Sequence, residues 1–266
     1  MNTRSETMTP EFAARELLHS LHIQSVPTPM EEICDRLGVL VERTGEIDAE
    51  ALLIADGAGE VVILLNESIR SVGRANFTLA HEVGHFRLPH HGRRYSCSYA
   101  DLNAFFSEKP LEREANLFAS ELLFSEAAFL ADIHGMDMSW KAVSRLANRY
   151  QASLTATALR MCQKTMDSCA LAFVQAGKIK WSYASQHFAG EVVRGCIPIR
   201  SVLHANMEVC DLAEGVTPSD AWLAKSTKIH ELQESIFPLP SLDAWLVLLA
   251  PVETEYEDWF GGAGIE

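Results

Sequence analysis

The chain has no uninterrupted apolar run of about 18 residues, so no segment of it reads as a membrane-spanning helix. Its amino terminus lacks the basic-then-apolar order of an export signal, and a cytoplasmic protein is expected. Basic charge is scarce: 22 Lys and Arg stand against 36 Asp and Glu, a net charge of −14. Phosphate contacts need basic surface, so this balance excludes a chain that works chiefly by coating nucleic acid. Paired cysteine motifs are missing as well. The six cysteines (Cys34, Cys97, Cys162, Cys169, Cys196 and Cys210) are scattered without a Cys-x-x-Cys, which excludes a disulfide framework and points to reduced thiols used as small hydrophobes. There is no low-complexity tract, and 48% hydrophobic residues over 266 positions supply a core organised in more than one module.

What is present is His81-Glu82-Val83-Gly84-His85, inside the apolar, helically spaced stretch Phe77 to Phe86. Residues four apart on a helix are face neighbours, about 5–6 Å apart at Cβ. Both imidazoles therefore reach one metal ion, and Glu82 approaches the same place from an adjacent direction. Two neutral nitrogen donors and a carboxylate able to take a proton from water are the minimal kit of a zinc peptidase, with Glu82 as the catalytic residue. A catalytic zinc takes three protein ligands, so a third must come from elsewhere. The helix predicted over residues 111–124 carries Glu112, Glu114 and Glu121. Glu112 and Glu114 are two apart and do not share a face, so at most one is a ligand. Glu114 precedes Leu117 by three and Phe118 by four, which sets it on the expected core side, and it is preferred to Glu112.

Thr9-Pro10 and Thr28-Pro29 open two helices, with Gly38 stopping the second. Residues 38–44, 51–55 and 61–65 read as strands, the last two a hairpin about Asp56-Gly57-Ala58-Gly59. A small antiparallel sheet packed on the motif helix, expected over 67–87, is the economical arrangement. Leu88-Pro89 ends that helix. Ser125, Ser139 and Ser153 then cap three short helices in tandem. Beyond residue 165 the texture turns to short β-rich runs with four of the five tryptophans. The fold class is α+β in three parts: a peptidase-like domain over 1–124, a helical helix-turn-helix-like segment over 125–165, and an α+β domain over 166–266.

Three motifs in order resemble the ImmA/IrrE metallopeptidases: R-x-x-F-T-L-A-H-E-V-G-H (Arg74 to His85), E-R-E-A-N-x-F-A-x-E-L-L (Glu112 to Leu123) and L-A-x-R-Y-x-x-S (Leu146 to Ser153). The resemblance implies a zincin-like, gluzincin-type peptidase domain in which His81, His85 and Glu114 hold one Zn²⁺, with Mn²⁺ as the alternative ion, and Glu82 is the base. It implies cleavage of a helix-turn-helix transcriptional repressor, derepressing stress-response or mobile-element genes, and a GAF-like sensory domain at the carboxyl end. Tyr95, Tyr99, His90 and His91 are the candidates for stabilising an oxyanion or holding substrate. Two other outcomes remain open: a metal-binding transcriptional regulator and a non-proteolytic anti-repressor. Residues 136–164 carry five basic side chains (Lys141, Arg145, Arg149, Arg160, Lys164) against one acid, Asp137. A structural or partner-docking use of that island is expected, not direct DNA binding, because the chain as a whole is so acidic.

Overall fold

The computed structural model describes residues 9–55, 59–89, 94–97, 109–206, 211–226 and 229–252. The chain divides into two compact units, residues 1–165 and 166–266.

In the first unit, helix α1 (Pro10–Ser20) starts as its sequence dictates: the Thr9 hydroxyl accepts from the Phe12 N–H and Pro10 takes the first turn. Helix α2 (Met30–Arg36) has no such cap, because its N-cap position falls on Pro29; Thr28, one residue earlier, donates its hydroxyl to the Leu122 carbonyl instead. Strands β1 (Val39–Thr44), β2 (Ala51–Ala55) and β3 (Val61–Asn66) join β4 (Arg94–Cys97) in one sheet of order β1-β3-β2-β4. The sheet is mixed, not antiparallel as expected: β2 pairs antiparallel with β3 and β4, but β1 pairs parallel with β3. The reason lies in burial. Val61, Ile63 and Leu65 alternate on one face of β3, and a strand that apolar takes a central position, between its hairpin partner and β1.

Helix α3 (Val72–Arg87) carries the His-Glu-x-x-His motif and begins later than the expected residue 67. Asn66 turns the chain first, its Oδ1 accepting from the Ser68 N–H while its amide donates to the Ile47 and Ala49 carbonyls. Ser71 then caps α3. Every residue from Phe77 to His85 is buried, because α3 packs on β2 and β3 on one side and on α4 (Pro110–Leu123) on the other. Helices α5 (Glu126–Ile133), α6 (Trp140–Tyr150) and α7 (Leu154–Lys164) complete the unit, α6 and α7 each capped by the expected serine.

The second unit is built on a six-stranded antiparallel sheet of order β8-β6-β5-β12-β11-β9. Its strands are β5 (Ala170–Gln175), β6 (Lys178–Ala184), β8 (Gly195–Cys196), β9 (Ala213–Pro218), β11 (Glu231–Leu239) and β12 (Ala244–Pro251). A ribbon of β7 (Gly190–Val192) and β10 (Leu223–Ser226), with the single-turn helices α8 (Val202–Ala205) and α9 (Ser219–Trp222), completes it. Val192, Leu203, Trp222 and Leu223 from these elements join Ala172, Val174, Leu232, Ile236, Val247 and Leu249 of the sheet in one core.

Candidate metal centre

Helices α3 and α4 meet closely because Gly84 has no side chain. A Cβ there would stand 3.3 Å from the Ala115 Cα and 3.2 Å from Phe118 Cδ1, tighter than ordinary contact. The buried stripe of α4 that faces this crossing is Glu112, Ala115, Asn116 and Ala119, at helical spacing. Small residues let the backbones approach, and the two polar ones meet the histidines.

His81 Nε2 and His85 Nε2 lie 3.0 Å apart, and Glu112 Oε2 is 3.2 Å from the first and 3.6 Å from the second. All three side chains are buried. Among the described residues, this is the group of three or more His, Cys, Asp or Glu able to hold a metal ion. The spacing suits one. Ligand atoms at about 2.0–2.2 Å from a tetrahedral zinc stand roughly 3.3–3.5 Å from each other. His81 is further fixed by Asn116, whose Oδ1 lies 2.8 Å from Nδ1. An amide oxygen only accepts, so Nδ1 carries the proton and the Nε2 lone pair points to Glu112 and His85. Burial opposes the charge of Glu112. His81 and His85, which donate to it from Nε2 only as protonated rings, outweigh burial and hold the carboxyl well below its usual range. The site thus keeps an anion beside two imidazoles in a dry crossing, a costly arrangement that a divalent cation relieves.

Glu114 is not in this group. It sits two residues on, half-buried, about 200° around α4 from Glu112. The expectation followed Leu117 and Phe118 as markers of the inner face, yet Leu117 is only half-buried, and the stripe against α3 is that of Ala115 and Ala119. Asn116 was missed, although its place four residues after Glu112 sets both on one face. Glu82 is fully buried on α3 between the two histidines in sequence. His90, His91 and Tyr99, and the side chain of Tyr95, lie outside the described residues.

The helix-turn-helix-like segment is built into the unit. No residue of α7 is exposed. At the α6–α7 turn, Gln151 takes a left-handed φ of 47° and its carbonyl accepts from Asn76 of α3, while Gly73 packs directly on the Ala152 backbone. Arg160 is buried and donates to Glu121 at 2.6 Å and to the Phe124 carbonyl, Lys164 pairs with Glu126, and Arg149 pairs with Asp132. Three of the five basic residues in the positive island are thus consumed within the unit.

A buried helix bearing paired histidines, closed by a carboxylate from a second helix, defines a metallopeptidase-like domain. The family model of the IrrE N-terminal-like domain, a peptidase family, matches residues 34–161, and this part of the chain belongs to the ImmA/IrrE family. A comparison with curated protein sequences gave no match. Among solved structures the chain is similar to a Mycobacterium tuberculosis transcriptional regulator, with a TM-score of 0.61 and 14% identity over 90% of this chain and 74% of that one. At that identity the likeness is one of fold. No helix among the described residues is long and apolar enough to cross a membrane.

Proposed function

We propose that the chain is a zinc-dependent endopeptidase whose metal is held by His81, His85 and Glu112, with Glu82 as general base. The observation that carries this is the triangle of two Nε2 atoms and one carboxylate oxygen at 3.0, 3.2 and 3.6 Å, beside a buried Glu82. A zinc ion there supplies Lewis acidity toward a peptide carbonyl and lowers the pKa of water. Glu82 takes the proton of the attacking water and passes it to the departing amine. Asn116 keeps His81 in the tautomer and orientation this needs. The substrate proposed is a helix-turn-helix repressor. A chain of net charge −14 is drawn to a basic DNA-binding protein, and opposite charge speeds encounter.

A Glu82→Gln protein should bind zinc as the parent does and leave the repressor intact, while the parent cuts it. Equal cleavage by both rejects the mechanism, and intact repressor with zinc-loaded parent favours an anti-repressor that only sequesters. The structural likeness to a transcriptional regulator raises direct DNA reading as a second role. The burial of α7 and the internal pairing of Arg149, Arg160 and Lys164 weigh against it, and a gel shift at physiological salt tests it. The second unit is proposed as a GAF-like sensory module. Its support is the compact antiparallel sheet with a ribbon and short helices over one face.

A further inference from the structure

Among the described residues, strand β1 has one edge without a strand partner. Among the described residues it pairs only with β3, in an unbroken six-residue register from Val39–Val61 to Thr44–Asn66. Half of its backbone N–H and C=O groups therefore face away from the sheet. Proteins usually blunt such an edge with proline, a bulge or charged side chains. β1 has no proline and no bulge, its charges Glu42 and Arg43 lie in its carboxyl half and are of opposite sign, and Leu40 in its amino half is 52% exposed. A groove of about 520 Å³ runs along it, lined by Gly38 to Val41 and Arg43 of the strand and by Glu31 and Asp35 of α2. No β3 residue lines this groove, so it lies on the margin of β1 away from its partner. Glu31 and Asp35 are four apart and share one face of α2, while the neighbouring Arg36 is engaged by Glu32 and by the Leu21 carbonyl.

We propose that β1 is a docking strand, separate from the metal centre, for an extended basic segment of a partner protein. The segment adds to β1 as a further strand, its backbone bonding the free N–H and C=O groups. An apolar side chain covers Leu40, and a lysine or arginine reaches Glu31 and Asp35. Backbone pairing gives affinity without demanding a sequence, and the acidic wall selects the charge. A second copy of this chain is the less suited occupant: β1 offers Glu42 and Arg43, which cancel, and two bodies of net charge −14 repel.

The test uses the full chain and a capped synthetic peptide of alternating valine and lysine. Amide exchange is followed at residues 39–44, so the result is independent of any cleavage at the metal centre. Slowed exchange in β1 on adding the peptide is expected. The surface variant Glu31→Lys/Asp35→Lys should weaken the peptide roughly tenfold or more, two attractions becoming two repulsions. A valine–glutamate peptide should bind no better to the parent protein than the lysine peptide does to that variant. A lysine peptide N-methylated at every second residue should lose binding. The proposal is overturned if β1 exchange is unchanged, if the charge-reversed variant binds undiminished, or if the N-methylated peptide binds equally well, which would leave only diffuse surface charge. It is also overturned if β1 becomes protected with protein concentration alone, which would make a second copy the occupant.

Discussion

Glu112 and Glu234 are both buried carboxylates ringed by donors, and their protonation is pushed in opposite directions. At Glu234, in the core of the second unit, Oε1 accepts from the Leu203 N–H (2.7 Å) and Oε2 from the Val202 N–H (2.9 Å) and the Trp222 indole (2.8 Å). Burial pushes its pKa up further than these three donors pull it down. At Glu112 burial pushes the same way, but the neighbouring His81 and His85, by hydrogen bond and by charge when protonated, outweigh it. Dipoles satisfy hydrogen-bonding capacity without supplying countercharge, and the contrast separates a carboxylate held by neutral donors from one set against the paired histidines of the candidate metal centre. Glu234 pins α8 and the Trp222 indole to the sheet. Glu112 belongs to a cluster of three that could hold a cation.

The comparison breaks most visibly if the roles are exchanged by mutation. Glu234→Ala strands two backbone N–H groups and an indole in an apolar core, and should cost about 3–5 kcal/mol of stability. Zinc affinity of whatever protein remains folded should be unchanged. Chemical denaturation and zinc titration read the two quantities separately. Glu112→Gln should do the reverse, weakening zinc by roughly 100-fold or more, beyond the range of changes outside the ligand shell. Zinc at 100 times its dissociation constant should stabilise the parent by about 2.7 kcal/mol against a chelator-treated sample, and Glu112→Gln should show no such difference. Glu114→Gln is the control that decides between the two acids of α4: it should bind zinc as the parent does.

Asn116 comes next in size. Asn116→Ala should weaken zinc about 10–100-fold while leaving the fold intact, and Asn116→Asp, which still accepts from Nδ1–H, should restore most of it. If alanine and aspartate behave alike, the 2.8 Å contact to His81 is packing and not positioning.

These residues also mark where sequence reasoning reaches and where it stops. The histidines were legible because a five-residue pattern on a helix fixes its own geometry, whatever surrounds it. The caps at Thr9, Ser139 and Ser153 were legible for the same reason, each acting within three residues. The choice between Glu112 and Glu114 depended on which face of α4 meets α3. Gly84 against Ala115 decides that, and hydrophobicity pointed instead to Leu117. The parallel pairing of β1 and the burial of Arg160 on Glu121 are likewise set by partners far along the chain. Glu234 left no trace at all: it sits in a β-rich run like any surface acid, and its three donors come from residues 12 to 32 positions away.

The smallest expected effect is a slope, and it tests the comparison at its root. An acid whose folded pKa is raised binds its proton more tightly in the folded state than in the unfolded one. Between the ordinary value of 4.5 and the raised folded value, the folded state of the second unit therefore holds more protons. Stability must fall as pH rises through that window, by at most about 1.4 kcal/mol per pH unit for one group. Glu234→Gln, which does not titrate, should flatten the slope. The Val202 and Leu203 amides report it directly, since their exchange, corrected for its intrinsic pH dependence, measures opening of the bonds they make to this carboxylate. A slope that persists in Glu234→Gln means that another group titrates. A parent protein that instead gains stability across the window means that three neutral donors suffice to hold Glu234 ionised. In that case charge on the neighbours would no longer be what sets Glu112 apart, and the metal centre would rest on the geometry of its three ligand atoms alone.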